Sequence, residues 1–459
     1  MSLQGAWTSL PHSIHFSFAF TAACALILGF IITSVTERSD RTIYAREGFV
    51  ICAVAWIVMS AIGAVPFVLS GDIPSYTDAF FETVSGFTTT GASILADPEE
   101  LTHGSVFWRS FTHWIGGMGV LVLMMAVIPN NNDRSIHIMR AEMPGPIVDK
   151  IVPRVRSSAK ILYLIYIAMT LLLVLLLLAG GMDLFEALTH AFGTAGTGGF
   201  GIKADSIGGY SPYLQWVITI GMLVFGINFN LYYLILIRRY KQALKSEELW
   251  VYLAVVVISV FSITANIADM YPTLGETFRH AAFQVSSVIT TTGFSTVDFD
   301  LWPEFSKSVL MMLMFIGGCA GSTGGGIKVS RVVLLGKIIR RELKLLIHPR
   351  SVASVKLDGK RIDDATQSGV SSYLALYMIV FAVIFILLSL EPFDMETNLT
   401  ATIACFNNIG PGLSSVGPTS NFDGYSSAAK YLLSAAMLLG RLELYPLILT
   451  FSPQTWIKK

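Results

Sequence analysis

Four short stretches of this sequence share one kind of oxygen-rich, glycine-containing backbone. They read Phe87-Thr-Thr-Thr-Gly91, Gly196-Thr-Gly-Gly199-Phe200, Thr290-Thr-Thr-Gly293-Phe294 and Asn407-Asn-Ile-Gly410-Pro411. The chemistry open to such residues is coordination of a desolvated cation. Glycine permits positive φ, so successive carbonyls turn toward one side. Threonine adds a hydroxyl acceptor and a stiff side chain. Four segments of this type around one axis would present rings of oxygens that replace a cation's hydration shell.

Register from the glycines makes the repetition visible. Ala79 corresponds to Ala281, Phe81 to Phe283, Ser85 to Ser287, and Thr88-Thr89-Thr90 to Thr290-Thr291-Thr292. The second copy is recognised by Gly199-Phe200 and the fourth by its position. One Thr-Thr-Thr-Gly alone is an ordinary turn, whereas repetition in equivalent loops sets an architecture. Each copy follows a half-length apolar stretch that begins near an acid: Asp78, Asp183, Glu276 or Asp394. A stretch of about 10–14 apolar residues is too short to span and predicts a re-entrant helix. An acid suits its N-terminus, and its partly negative C-terminus then faces the cation. Irregular backbone at that depth must be surrounded by protein or line a water-filled path.

A second glycine cluster, Gly317-Gly318-Cys-Ala-Gly321-Ser322-Thr323-Gly324-Gly325-Gly326, falls in the middle of an apolar segment. Each glycine costs about 1 kcal/mol in a helix interior relative to alanine, so the helix should break there. A movable intramembrane gate and close helix packing both account for such a break. Arg441 lies inside the last apolar segment, where a cation needs a partner or a water path. It is read as lining the path below the loops and helping to hold the gate segment, with a structural ion pair to Glu443 or to another helix as the other reading. Arg109 and Lys430, near outer span ends, are expected to snorkel.

These groups must be placed by membrane-spanning helices. The 459 residues are 53% hydrophobic and only 14% charged, against about a quarter charged in soluble domains. Nine spans are predicted: 14–35, 48–70, 107–129, 158–180, 213–237, 249–270, 307–335, 370–390 and 428–452. Lys and Arg concentrate in alternate connections, ten of them between Lys328 and Arg361, while loops 71–104 and 391–427 hold none. The basic side should be cytoplasmic, which places the C-terminus inside and the four glycine loops outside. An odd number of spans puts the N-terminus outside, unless a further span precedes this sequence. No cleavable signal peptide is expected. The basic stretch 331–361 is expected to extend as helix beyond the membrane and to contact anionic lipid or a partner.

Other chemistries find no support. Net charge is +0, which suggests no nucleic-acid partner. Cys24, Cys52, Cys319 and Cys405 sit in or beside apolar segments without metal-ligand spacing, and the eight histidines form no metal-enzyme motif. Gly326-Ile-Lys328 lacks the adjacent Gly-Lys of a nucleotide-binding loop. No covalently bound cofactor is expected.

With these stretches in view, the chain resembles the TrkH/KtrB family of bacterial potassium transporters, and its TrkH branch closely. The resemblance is carried by Arg46-Glu-Gly-Phe, Asp78–Ser93, Trp114-Ile-Gly-Gly-Met-Gly119 and Arg140-Ala-Glu-Met-Pro-Gly145. It continues through Phe315–Lys328, Arg341-Glu-Leu-Lys344, Asn407–Leu413 and Leu439-Gly-Arg-Leu-Glu443. It implies an all-α integral membrane protein with four helix–pore helix–helix repeats about a pseudo-fourfold pore, preceded by an extra N-terminal helix. The corresponding divisions are 1–45, 46–150, 151–248, 249–365 and 366–459. The resemblance further implies potassium uptake across the bacterial inner membrane. Ion sites would be formed before Gly91, Gly199, Gly293 and Gly410 by Thr89 and Thr90, Thr197 and Gly198, Thr291 and Thr292, and Asn408 and Ile409. It also implies a homodimer and a TrkA-like cytoplasmic nucleotide-binding ring as partner. A non-selective or sodium-conducting pathway and a carrier of an organic solute are the alternatives, the latter disfavoured by fourfold rather than twofold repetition.

Overall fold

The computed structural model describes residues 14–36, 45–119, 155–351 and 353–457. Helix α1 (Ile14–Val35) leads and packs on α2 (Ala45–Ser70). The chain then runs through α3 (Tyr76–Phe87), α4 (His103–Gly117), α5 (Val155–Ala179), α6 (Leu184–Gly196) and α7 (Pro212–Phe225). After a break come α8 (Phe229–Leu236), the short α9 (Tyr240–Ala243), α10 (Glu247–Asn266), α11 (Leu274–Ile289) and α12 (Glu304–Phe315). The remainder is α13 (Val329–Ile347), α14 (Asp364–Leu388), α15 (Met395–Phe406), α16 (Ser427–Arg441), α17 (Tyr445–Phe451) and α18 (Pro453–Trp456).

Among the described residues five helices are long and apolar enough to cross a membrane, or six if α7 and α8, bent by 90°, form one broken span. Their outward faces are apolar. On α14, Ile379, Val383 and Ile386 are exposed while Tyr373, Tyr377 and Phe381 are buried. Lipid tails solvate such a surface, and the backbone is satisfied within each helix.

The half-length helices α3, α6, α11 and α15 set the symmetry. Each packs between the two helices that flank it in sequence, and also against the second helix of the preceding repeat. Thus α6 lies on α4, α11 on α7 and α15 on α12, and α3 closes the ring on α16. Side-chain caps fix where these helices start. Ser75 accepts from the Asp78 N–H, Asp183 from Glu186, Thr273 from Glu276 and Asp394 from Thr397. The acids Asp183 and Asp394 are therefore caps themselves, whereas Asp78 and Glu276 sit three residues inside a Ser or Thr cap. Hydrogen bonds from the Thr397 side chain and backbone hold the Asp394 carboxyl below the usual carboxylate range.

The predicted spans 213–237 and 428–452 are interrupted rather than continuous. The first breaks at Gly226–Asn228, and the second at Leu442–Leu444, where Glu443 and Leu444 take φ of 55° and 70°. Span 307–335 breaks between Phe315 and Val329, over the predicted glycine segment. In span 107–129 the helix ends at Gly117, and residues 120–129 lie outside the described residues. The basic stretch 331–361 is only partly helical. After Ile347 it turns into a two-stranded hairpin, β1 (Lys356–Leu357) with β2 (Lys360–Arg361), because Asp358-Gly359 supplies two positive-φ residues for the turn.

Candidate functional site

The half-helices end in four copies of one turn. Thr89, Thr197, Thr291 and Asn408 all adopt left-handed backbone, with φ of 54°, 53°, 58° and 57°. The N–H of the next residue, Thr90, Gly198, Thr292 or Ile409, then bonds to the carbonyl five residues back, at 2.8–2.9 Å. This is the helix-ending turn usually built on glycine or asparagine. A β-branched threonine there carries strain of about 1–2 kcal/mol, and three of the four copies hold one. Gly91, Gly199, Gly293 and Gly410 follow with φ of 81°, 77°, 88° and 102°. The fourth copy, weakest in sequence, has the same backbone as the others.

The four loops also touch in a ring. A Cβ added to Gly91 would stand 2.2 Å from the Gly198 carbonyl oxygen, and one added to Gly199 would stand 1.9 Å from that of Thr292. At Gly293 it would meet the Ile409 oxygen at 2.1 Å, and at Gly410 the Thr90 oxygen at 2.8 Å. The carbonyl just before each glycine therefore packs on the glycine of a neighbouring repeat, around a closed cycle. The twelve residues predicted as ligands are brought together in this ring. The threonine hydroxyls are largely engaged elsewhere. Thr88 and Thr90 pair at 2.8 Å, as do Thr290 and Thr292, and Thr197 donates to its neighbour's carbonyl. Thr90 also accepts from the Asn408 amide, whose second donor contact is the Met437 carbonyl. What the ring offers is mainly main-chain oxygen.

On the post-glycine side, all four glycines line a single cavity together with the loop 416–422. On the opposite side lies the glycine segment 316–328. Its ends are pinned together by the Gly317 N–H to the Ile327 carbonyl (2.9 Å) and the Ile327 N–H to Phe315 (3.1 Å). Gly321 and Gly326 have positive φ, 70° and 66°. The Gly318 neighbourhood abuts the α7–α8 break: the Cys319 N–H reaches the Gly226 carbonyl and the Phe229 N–H reaches Gly321. Ser322 braces the turn by donating to Cys319 and accepting from Gly324. Thr323 donates to the Phe225 carbonyl.

The tip meets the ring itself. The Gly325 N–H donates to the Thr291 hydroxyl at 2.6 Å. A Cβ on Gly324 would stand 2.9 Å from the Thr290 oxygen, and one on Gly325 2.6 Å from that of Asn407. Arg441 crosses beneath, donating to the Thr323 carbonyl at 2.7 Å and to Gly116 and Gly117 at 2.6 and 2.7 Å. It thus ties the segment to the end of α4. Glu443, the partner expected for Arg441 in sequence, is bonded by Arg331.

The family model described as "TrkH: Cation transport protein" matches residues 14–459. The chain belongs to the TrkH family. It is 37% identical over 447 residues to the Trk system potassium uptake protein TrkH of Escherichia coli strain K12, covering 96% of this chain and 92% of the relative. The TrkH protein of Halomonas elongata is 34% identical over 449 residues, and E. coli TrkG 35% over 448, with the same coverage of both chains. The crystal structure of the potassium transporter TrkH from Vibrio parahaemolyticus superposes with a TM-score of 0.86 at 32% identity, covering 97% of this chain and 93% of that one. The chain is therefore a multi-pass membrane protein of a cation-transport family rather than an enzyme.

Two expectations fail in this TrkH-family chain. Arg109 and Lys430 do not snorkel. Arg109 is buried against Glu82, at 2.5 Å. Lys430 is buried between Asp78 (2.6 Å) and Asp423 (3.1 Å). Both cations sit at helix positions facing acids on other segments, and pairing wins over reaching for water once a partner is within contact.

Sequence reasoning also passed over the groups that frame the glycine segment. Lys328, 2% exposed, donates to the Gly324 and Gly325 carbonyls. Glu248 accepts from the Ala320 and Ser330 N–H groups at 2.7 and 2.9 Å. A charged residue next to a glycine run inside an apolar segment was the available signal for Lys328. Glu248 had none, since it opens a different helix.

Proposed function

We propose that this chain takes up potassium ions across a bacterial inner membrane. The four glycine loops act as the selectivity filter, and the segment 317–326, held by Arg441, acts as the gate. The observation that carries this reading is the closed ring. Thr90, Gly198, Thr292 and Ile409 each present a carbonyl packed on a neighbouring repeat's glycine, and a ring of main-chain oxygens is what replaces a cation's hydration shell. The choice of potassium rests on the relatives, which are potassium uptake proteins by name. The basic connections support a cytoplasmic C-terminus. Regulation by a TrkA-like nucleotide-binding ring on that side, and a homodimeric assembly, complete the proposal on the strength of the family resemblance.

Rubidium uptake into proteoliposomes tests it, with excess potassium, sodium or lithium as competitor and a Gly293→Ser variant alongside. Suppression by potassium well ahead of sodium, altered in the variant, is the expected result. Equal suppression by sodium would point to a broad cation pathway. If uptake is seen only after the nucleotide-binding partner is added, the gate is closed at rest.

A further inference from the structure

Nine residues before its glycine, each half-helix carries a different group: Glu82, His190, Gln284 and Ala401. Only the first is acidic, and it is matched by the arginine on the next helix. The two side chains are 0% and 3% exposed. Glu82 accepts from the Ser93 hydroxyl at 3.0 Å and from the Ile94 N–H at 3.1 Å. Arg109 donates through Nε to Glu82, through Nη2 to Ser93 Oγ at 3.0 Å, and through Nη1 to the Gly201 carbonyl at 3.0 Å. Its guanidinium stacks 3.6 Å from the Phe200 ring centre. The pair thus holds residues two and three past Gly91 together with residues one and two past Gly199. His113, one turn further along α4, holds the same boundary from behind. It bonds the Gly86 carbonyl at 2.7 Å and accepts from the Phe200 N–H at 3.3 Å.

We propose that Glu82 and Arg109 form a positioning pair that fixes the first loop against the second, and thereby sets the preference for potassium over sodium. The inference rests on the potassium reading above. The pair touches no ion-facing carbonyl, so it acts through the loops. It is neutral as a unit, so its effect is geometric. Arg109 is suited because its planar fork reaches Glu82, Ser93 and Gly201 from three separate nitrogens, whereas the three donors of a lysine share one nitrogen. Gly91 and the Gly198 oxygen meet at this boundary, so a shift of the strut alters ring size there first.

The experiment compares wild type, Arg109→Lys and Ser93→Ala in the full chain, reading the ratio of sodium to potassium concentrations that half-suppress rubidium uptake. This ratio does not depend on how much protein is folded. Arg109→Lys keeps a cation beside Glu82 but loses the fork. The ratio should fall about tenfold, the size of one lost charge-assisted hydrogen bond. Ser93→Ala removes only a hydroxyl, is the variant read if Arg109→Lys does not assemble, and should move the ratio the same way. A wild-type preference retained unchanged in the variant read overturns the positioning role alone. Equal suppression by both ions in wild type overturns the potassium reading, and the pair's role in selectivity with it.

Discussion

At the scale of single residues, Arg441 is the clearest case of a side chain whose contacts define a test. Its guanidinium bonds the glycine segment at Thr323 and the end of α4 at Gly116 and Gly117. Arg441→Ala removes these ties and a positive charge below the ring. Both changes favour cation passage, so rubidium uptake without any partner protein should rise, with the potassium preference kept because the ring is untouched. Unchanged uptake would show that the segment is held by its other bonds, those of Lys328 and Glu248. The sequence alone placed Arg441 inside an apolar span and offered Glu443 as a partner. Only the fold shows that Arg331 also bonds Glu443.

At the scale of elements, the glycines of the third repeat divide by environment, and their substitution should divide too. Gly321 and Gly326 have positive φ, and Gly317 faces the Gly325 oxygen at 1.9 Å from an added Cβ. Alanine at Gly321 should lower the unfolding temperature, since left-handed backbone costs a non-glycine residue about 1–2 kcal/mol. Gly336 lies inside α13 with nothing within 4 Å of an added Cβ. Alanine there should stabilise by about 0.5–1 kcal/mol through helix propensity. Thermal unfolding of the two variants in detergent, with opposite signs, checks the distinction.

The same elements show what the sequence discloses. The break at 317–326 was legible because six glycines are incompatible with a helix interior. The breaks at 226–228 and 442–444 were not. Each spans about one turn of otherwise apolar sequence, and hydropathy over a 20-residue window reads straight through it. Glu443 and Leu444 take positive φ without being glycine, a choice imposed by packing rather than by local propensity. The turn at Asn408 was legible only by position, because its backbone matches the threonine copies while its side chain does not. Glu82 and Arg109 stand 27 residues apart on two helices, and no spacing rule links them.

At the scale of the whole molecule, a single chain that builds a ring must close it, and closure joins the first repeat to the last. Three contacts among several serve this. The half-helix α3 packs on α16, Asn408 donates to the Thr90 hydroxyl at 3.0 Å, and Lys430 on α16 bonds Asp78 on α3 at 2.6 Å. The last is the only ion pair of the three and lies at the outer end of the seam, with the lysine side chain 7% exposed and Asp78 20%. Lys430→Met leaves Asp78 facing the seam without its cation. Removing one partner of a buried pair destabilises by about 3–5 kcal/mol, and the partial exposure of Asp78 puts the expected loss near the lower end of that range. Asp78→Asn combined with Lys430→Met removes both charges and should recover much of the loss, because an uncompensated charge, not the absence of the bond, is the larger penalty. Denaturation in detergent of the two single variants and the double variant measures the coupling directly. Additive losses would mean that the seam is held without this ion pair, by packing and by its other hydrogen bonds, those of Asn408 and Arg441 among them. A double variant more stable than either single one would show that the two charges are coupled across the seam between the first and last repeats, the unpaired charge being the larger penalty.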